Sequence, residues 1–179
     1  MTGRKQGMWP FHTMEARALA RLGDAKACDA ALSEAVRKFD QRQPDNDPAW
    51  IRYFNEAELS AEFGHCFRDL GRPMDASQHA SQSLAAIDDK TFLRSDFFAA
   101  IVLADSHVAA GELEQACAVA LKALAAGEQI RSARCVNYLR EFRQRLAAIG
   151  ECATVAEFHG QVGDSRLWRI ASRADHQAA

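Results

Sequence analysis

One pattern recurs along the chain and restricts its fold more than any other feature. Three strings carry it, starting at Ala18, His65 and Ser106: ALARLGDAKACDAALSEAV, HCFRDLGRPMDASQHASQSL and SHVAAGELEQACAVALKAL. In each string an apolar segment ends at a glycine, and a small residue follows five positions later. Because glycine takes a left-handed conformation at little cost, the pattern predicts a helix that ends there and a short turn into the next helix.

Small and aliphatic residues recur at fixed offsets from each turn glycine. The second member of each set lies four positions after the first, the third lies three positions after the second, and the fourth follows the third directly. These offsets trace one stripe along a helix. The stripes are Cys28, Leu32, Ala35 and Val36; Ala76, Ala80, Ser83 and Leu84; and Ala116, Ala120, Ala123 and Leu124. Seven positions before each glycine stands a further small residue: Ala16, Gly64 and Ala104. Small facing side chains let two antiparallel helices approach closely, so we predict repeated helical hairpins.

The predicted fold is all-α. Seven long helices are expected over about 10–22, 24–41, 50–70, 73–87, 94–110, 112–128 and 131–149, with one or two short helices after them. No segment alternates as a strand does, and abundant alanine favours helix. We therefore predict a tetratricopeptide-like helical-hairpin solenoid of about 3.5 repeats over residues 10–170, with flexible ends at 1–9 and 171–179.

Four longer strings carry a family resemblance. They begin at His12, Trp50, Arg94 and Arg131: HTMEARALARLGDAKAC, WIRYFNEAELSAEFGHCFRDLG, RSDFFAAIVLADSHVAAGELEQAC and RSARCVNYLREFRQRLA. In this order they resemble the C-terminal tetratricopeptide-repeat region of actinobacterial Xre-type helix-turn-helix transcriptional regulators, over roughly 10–170. The resemblance implies a sensing or protein-interaction module without catalytic residues. No helix-turn-helix precedes Phe11, so we expect no direct binding of nucleic acid.

The stretch AEFGHC places Glu62, His65 and Cys66 within one helical turn and raises the question of a metal or catalytic site. Di-iron bundles use the E-x-x-H spacing twice, whereas it occurs once here, and one histidine with one cysteine falls short of a four-ligand zinc site. The neighbours His65 and Cys66 point about 100° apart on a helix, which aligns a nucleophile and base poorly. We predict no metal, no cofactor and no enzymatic activity.

A ligand groove is the alternative use of these residues. In tetratricopeptide folds the first helix of each hairpin lines the concave side. By register, the groove candidates are Arg17 and Arg21 from the first hairpin, Glu58, Glu62 and His65 from the second, Phe98, Ile101, Val102 and Asp105 from the third, and Asn137, Arg140 and Gln144 from the fourth. Three apolar members predict a floor, and the others a wall of mixed charge. Such a surface suits an extended peptide or protein segment, although each position singly also fits a solvated helix face.

Composition and charge limit the other function classes. A net charge of −2 gives no general attraction to nucleic acid or membrane, and no apolar run is long enough to span a bilayer. Five cysteines without C-x-x-C spacing favour reduced thiols and a cytoplasmic protein. Besides the binding module, two alternatives remain: an enzyme, and an oligomerisation scaffold in which apolar surface near Met8, Trp9 and Phe11 joins two copies.

Overall fold

The structure is a computed structural model that describes residues 9–43, 45, 47, 49–51, 53–86 and 93–176. Over these residues the chain is helical and contains no strand, which confirms the all-α prediction. The α-helices within the described ranges are α1 (Trp9–Arg21), α2 (Ala25–Asp40), α3 (Glu56–Asp69), α4 (Pro73–Ala85), α5 (Leu93–Ala110), α6 (Leu113–Gly127), α7 (Ala133–Ile149), α8 (Ala153–Val162) and α9 (Arg166–His176).

The chain divides into two compact units. The N-terminal unit, Met1–Ala86, contains α1 to α4, and the C-terminal unit, Ile87–Ala179, contains α5 to α9. In the N-terminal unit α1 pairs with α2, α3 pairs with α4, and α1 packs on α3. In the C-terminal unit α5 pairs with α6 and packs on α7, which also packs on α9, while α8 lies against α6. The predicted hairpins are therefore present inside each unit.

The three turn glycines close their hairpins in the same way. Their φ angles are 76°, 69° and 78° at Gly23, Gly71 and Gly111. At the first turn, Gly23 N–H donates to the carbonyl of Ala20 and Asp24 N–H donates to that of Leu19, both at 3.0 Å. The equivalent two hydrogen bonds recur at the other two turns. This is the Schellman arrangement, so the predicted left-handed glycine turn is confirmed at all three positions.

The predicted small-residue stripes are the contact surfaces of the hairpins. Their first members, Cys28, Ala76 and Ala116, are fully buried. The small residues before the glycines are buried as well: Ala16, Gly64 and Ala104. Each hairpin thus packs one helix closely against the other through side chains no larger than a thiol at these points.

The third helix begins later than predicted. A 3₁₀ helix covers Ala49–Ile51, and α3 starts only at Glu56. The extended residue Asn55 ends the preceding segment, and its side-chain oxygen accepts a hydrogen bond of 3.1 Å from the N–H of Glu58. This cap begins α3 at Glu56 rather than at residue 50, and the sequence Asn-x-x-Glu is a signal for it.

Ile51 and Phe54 are held by a local core. Phe39, Ile51 and Phe54 are buried together, with Leu59 packed against them. The rings of Phe39 and Phe54 lie 6.3 Å apart. Burial of these side chains holds Ile51 and Phe54 in place. A hydrogen bond of 3.0 Å from the N–H of Phe54 to the carbonyl of Ile51 supports the same arrangement.

The C-terminal helix extends past the predicted domain boundary. We predicted a flexible end over 171–179, but α9 continues through His176 and Ala171 is fully buried. The predicted flexible start at 1–9 falls mostly on residues 1–8, which lie outside the described residues, as do 177–179.

Candidate functional site

The groove candidates of the N-terminal unit are paired across neighbouring hairpins. Arg17 Nη1 of α1 lies 3.1 Å from Glu62 Oε2 of α3, and both side chains are mostly buried. One turn further, Arg21 Nε lies 3.2 Å from Asp69 Oδ2. These ion pairs link α1 to α3, so the predicted wall residues Arg17, Arg21 and Glu62 hold two hairpins together.

His65 and Cys66 do not form an exposed reactive site. His65 is buried, and Glu58, another predicted wall residue, is half-buried. The Cys66 thiol shares a hydrogen bond with the thiol of Cys28 on α2, and burial raises the pKa of the Cys66 thiol far above its ordinary value. A raised pKa disfavours the thiolate, which is the nucleophilic form. Among the described residues no group of three or more histidine, cysteine, aspartate or glutamate side chains converges as metal ligands would.

The predicted apolar floor lies in the core. Phe98, Ile101 and Val102 of α5 are all buried, so the expectation of an open floor is corrected. The Phe98 ring meets the Tyr138 ring of α7 edge-on at 4.9 Å. The physical reason is that α5 is apolar around most of its circumference, and such a helix is buried on several faces.

Asp105, the acidic member of the same helix, is also buried. Its Oδ2 accepts a hydrogen bond of 3.1 Å from Arg145 Nη1 on α7. The sequence analysis did not include Arg145, because the spacing of the arginines in α7 gives no sign of which one faces α5. This pair links α5 to α7, as Arg17 and Glu62 link α1 to α3 in the N-terminal unit.

The accessible groove candidates of the C-terminal unit form a polar row on α7. Asn137 and Gln144 are exposed, and Arg140 between them is half-buried. Their spacing of three and four places them on one helix face. Carboxamides donate and accept hydrogen bonds, so this α7 row can bind groups of either kind.

Sequence reasoning missed a cleft in the N-terminal unit. It has a volume of about 420 Å³ and is lined by Asp29, Leu32, Ser33, Val36, Phe63, Phe67 and Arg72. The Arg72 guanidinium lies 4.2 Å from the centre of the Phe67 ring and is bonded to Asp29 and Asp75. The signal available in the sequence was the pair of phenylalanines, Phe63 and Phe67, which lie four residues apart on one face of α3.

His79 completes the aromatic side of this region. Its ring centroid lies 4.9 Å from Phe63 and 5.4 Å from Phe67, and its Nδ1 is buried without a hydrogen-bond partner in the described structure. Burial lowers the pKa of His79; the positive charge of Arg72 acts in the same direction and Asp75 opposes it.

This environment predicts a pH effect on stability. The unfolded histidine binds its proton near its ordinary pKa of about 6.5, whereas the folded one binds only at lower pH. The unfolded state therefore holds more protons, and the free energy of unfolding should fall as pH drops below about 6.5. His79→Phe keeps the ring packing and should flatten this dependence in urea titrations at several pH values. His107→Phe, on α5, should retain it; an unchanged pH profile in His79→Phe would contradict the assignment.

Comparisons with known proteins add no family assignment. No protein-family model, curated protein or solved structure matches the chain. In the described part of the chain, no helix combines the length and the apolarity that a membrane span requires. The resemblance to Xre-type regulators accordingly stays a prediction.

Proposed function

We propose that this chain is a non-catalytic, tetratricopeptide-like binding module, the sensing or protein-interaction part of a transcriptional regulator, and that its ligand is a peptide or protein segment. The observation that carries the proposal is the repeated hairpin, with the same glycine turn three times and the same buried small residues. Repeated hairpins of this kind stack through their neighbours and present an extended surface for binding.

The α7 row is the part of the predicted wall best suited to such a ligand. An extended peptide presents backbone N–H and C=O groups in alternation, and the carboxamides of Asn137 and Gln144 can bond to both. Arg140 lies between them on the same helix face. Glu62 is less informative as a binding residue, because its carboxylate already bonds to Arg17.

The proposal predicts a specific loss of affinity. A peptide selected from a random library on the immobilised chain should bind the double variant Asn137→Ala, Gln144→Ala at least about tenfold more weakly, since each lost hydrogen bond is worth about 1 kcal/mol. Isothermal titration calorimetry measures this effect, and circular dichroism checks that the helices are retained.

A matched control is available on α6. Gln115 is also exposed on a helix, but on the second helix of its hairpin, and Gln115→Ala should bind like the wild type. Equal affinity of the double variant and the wild type would contradict the assignment of the α7 row. Failure of the library to yield any peptide ligand would count against the proposed function itself.

A further inference from the structure

Helix α1 and the turn after it carry an exposed apolar stripe. Phe11 is 64% exposed and Met14 53% exposed, and Ala18 and Leu22 continue the line. The offsets of three, four and four residues place all of them on one face. We call these four residues the α1 stripe; an exposed apolar surface of this kind marks an interaction site.

Repeat register identifies what the α1 stripe corresponds to. Met14 and Ala18 lie nine and five residues before the turn glycine Gly23. The residues nine and five positions before Gly71, at the end of α3, are Glu62 and Cys66. Glu62 bonds to Arg17 of the preceding hairpin, and Cys66 bonds to that hairpin's Cys28. This face of α3 is therefore covered by another hairpin.

Helix α7 repeats the arrangement in the C-terminal unit. Counted back from Gly150, the residues equivalent to Phe11 and Ala18 are Tyr138 and Arg145. Their side chains contact Phe98 and Asp105 of α5. In α3 and in α7 the equivalent face thus packs on a preceding first helix, and in α1 it is exposed.

We propose that the α1 stripe binds the α1 stripe of a second copy of this chain about a two-fold axis. A hairpin of the same type would present a charged residue such as Arg17 or Asp105 to this face. The α1 stripe has Met14 and Ala18 where α3 and α7 have Glu62 and Arg145, so such a charge would be buried without a partner, at a high free-energy cost. An apolar partner is required, and the stripe itself is apolar.

The stripe also fits itself in shape. Two antiparallel copies with the axis near Ala16 place Met14 opposite Ala18 and Phe11 opposite Leu22, so that a large side chain meets a smaller one. A head-to-tail contact with α9 is disfavoured, because its exposed Arg169 and Arg173 would lose water against an apolar face.

The sequence analysis left open an oligomerisation scaffold in which apolar surface near the start of the chain joins two copies, and the α1 stripe extends that hypothesis. Of the residues named there, Phe11 belongs to the α1 stripe, whereas Met8 and the side chain of Trp9 lie outside the described residues. The proposal is independent of the peptide ligand, because the α7 row and the α1 stripe share no residue.

The oligomeric state provides the test. Size-exclusion chromatography with light scattering should give twice the chain mass of 19.8 kDa for the wild type. Met14→Glu should weaken the dimer at least about 100-fold, because two carboxylates would enter the apolar contact. Met74→Glu makes the same substitution at an exposed methionine of α4 and should leave the dimer intact. A monomeric wild type, or a Met14→Glu variant that dimerises like the wild type, would overturn the proposal.

Cross-linking tests the two-fold geometry separately. When Met14→Cys and Ala18→Cys chains are mixed, a short bismaleimide should join one copy of each, whereas Met74→Cys mixed with Ala18→Cys should not react in this way. The wild type reports any background from its native cysteines. A dimer that forms without the first cross-link would reject the α1 contact. Met14→Cys and Ala18→Cys chains that also carry Asn137→Ala and Gln144→Ala should cross-link normally whether or not a peptide ligand exists.

Discussion

Phe142→Ala is expected to lower the free energy of unfolding of the C-terminal unit by about 3–5 kcal/mol. The Phe142 side chain is fully buried, and its ring meets that of Phe158 edge-on at 6.0 Å. It lies on α7, which packs on both α5 and α9, so neighbours on several sides hold the cavity open after truncation. Urea titration followed by circular dichroism measures the loss.

Two further variants separate a cavity effect from a general response to mutation. Phe142→Leu keeps part of the volume and should cost less than Phe142→Ala. Leu93→Ala, in the same unit, removes an exposed side chain and should change the free energy of unfolding by less than about 1 kcal/mol. Similar losses for Phe142→Ala and Leu93→Ala would show that Phe142 does not lie at the centre of this core.

Ala116→Leu is expected to destabilise the α5–α6 hairpin by about 1–3 kcal/mol. Ala116 is fully buried at the first contact position after Gly111, where a larger side chain would force the two helices apart. Ala76→Leu makes the equivalent change in the α3–α4 hairpin and should cost a similar amount, because Ala76 has the same position and burial. Both losses are measurable as lower urea midpoints.

The control for overpacking lies two residues away on the same helix. Ala118 is exposed, so Ala118→Leu adds the same side chain to α6 without entering the contact. Leucine is almost as good a helix former as alanine, and the variant should unfold close to the wild type. If Ala116→Leu and Ala118→Leu had equal midpoints, the hairpin register deduced from the repeat would be wrong.

The candidate site was predictable only in part. Arg17 and Glu62 were predicted to line a ligand groove from the first helices of two hairpins, and the structure pairs their side chains with each other at 3.1 Å. The same register placed Ile101 in an open groove, but it is fully buried. Register gives the direction of a side chain on its helix, whereas the exposure of that side chain depends on which other helices pack there. Because α5 is apolar on nearly all sides, its sequence does not show which face is exposed.

The sequence by itself determined the hairpins. Glycine at the turn and small residues at Cys28, Ala76 and Ala116 act over distances of a few residues, so their effect can be read locally. Tertiary structure alone decided the pairing of Asp105 with Arg145, the cleft beside Phe67, and the division into two units. These features depend on which side chains of distant helices meet, and that is set by the packing of whole helices rather than by any local pattern.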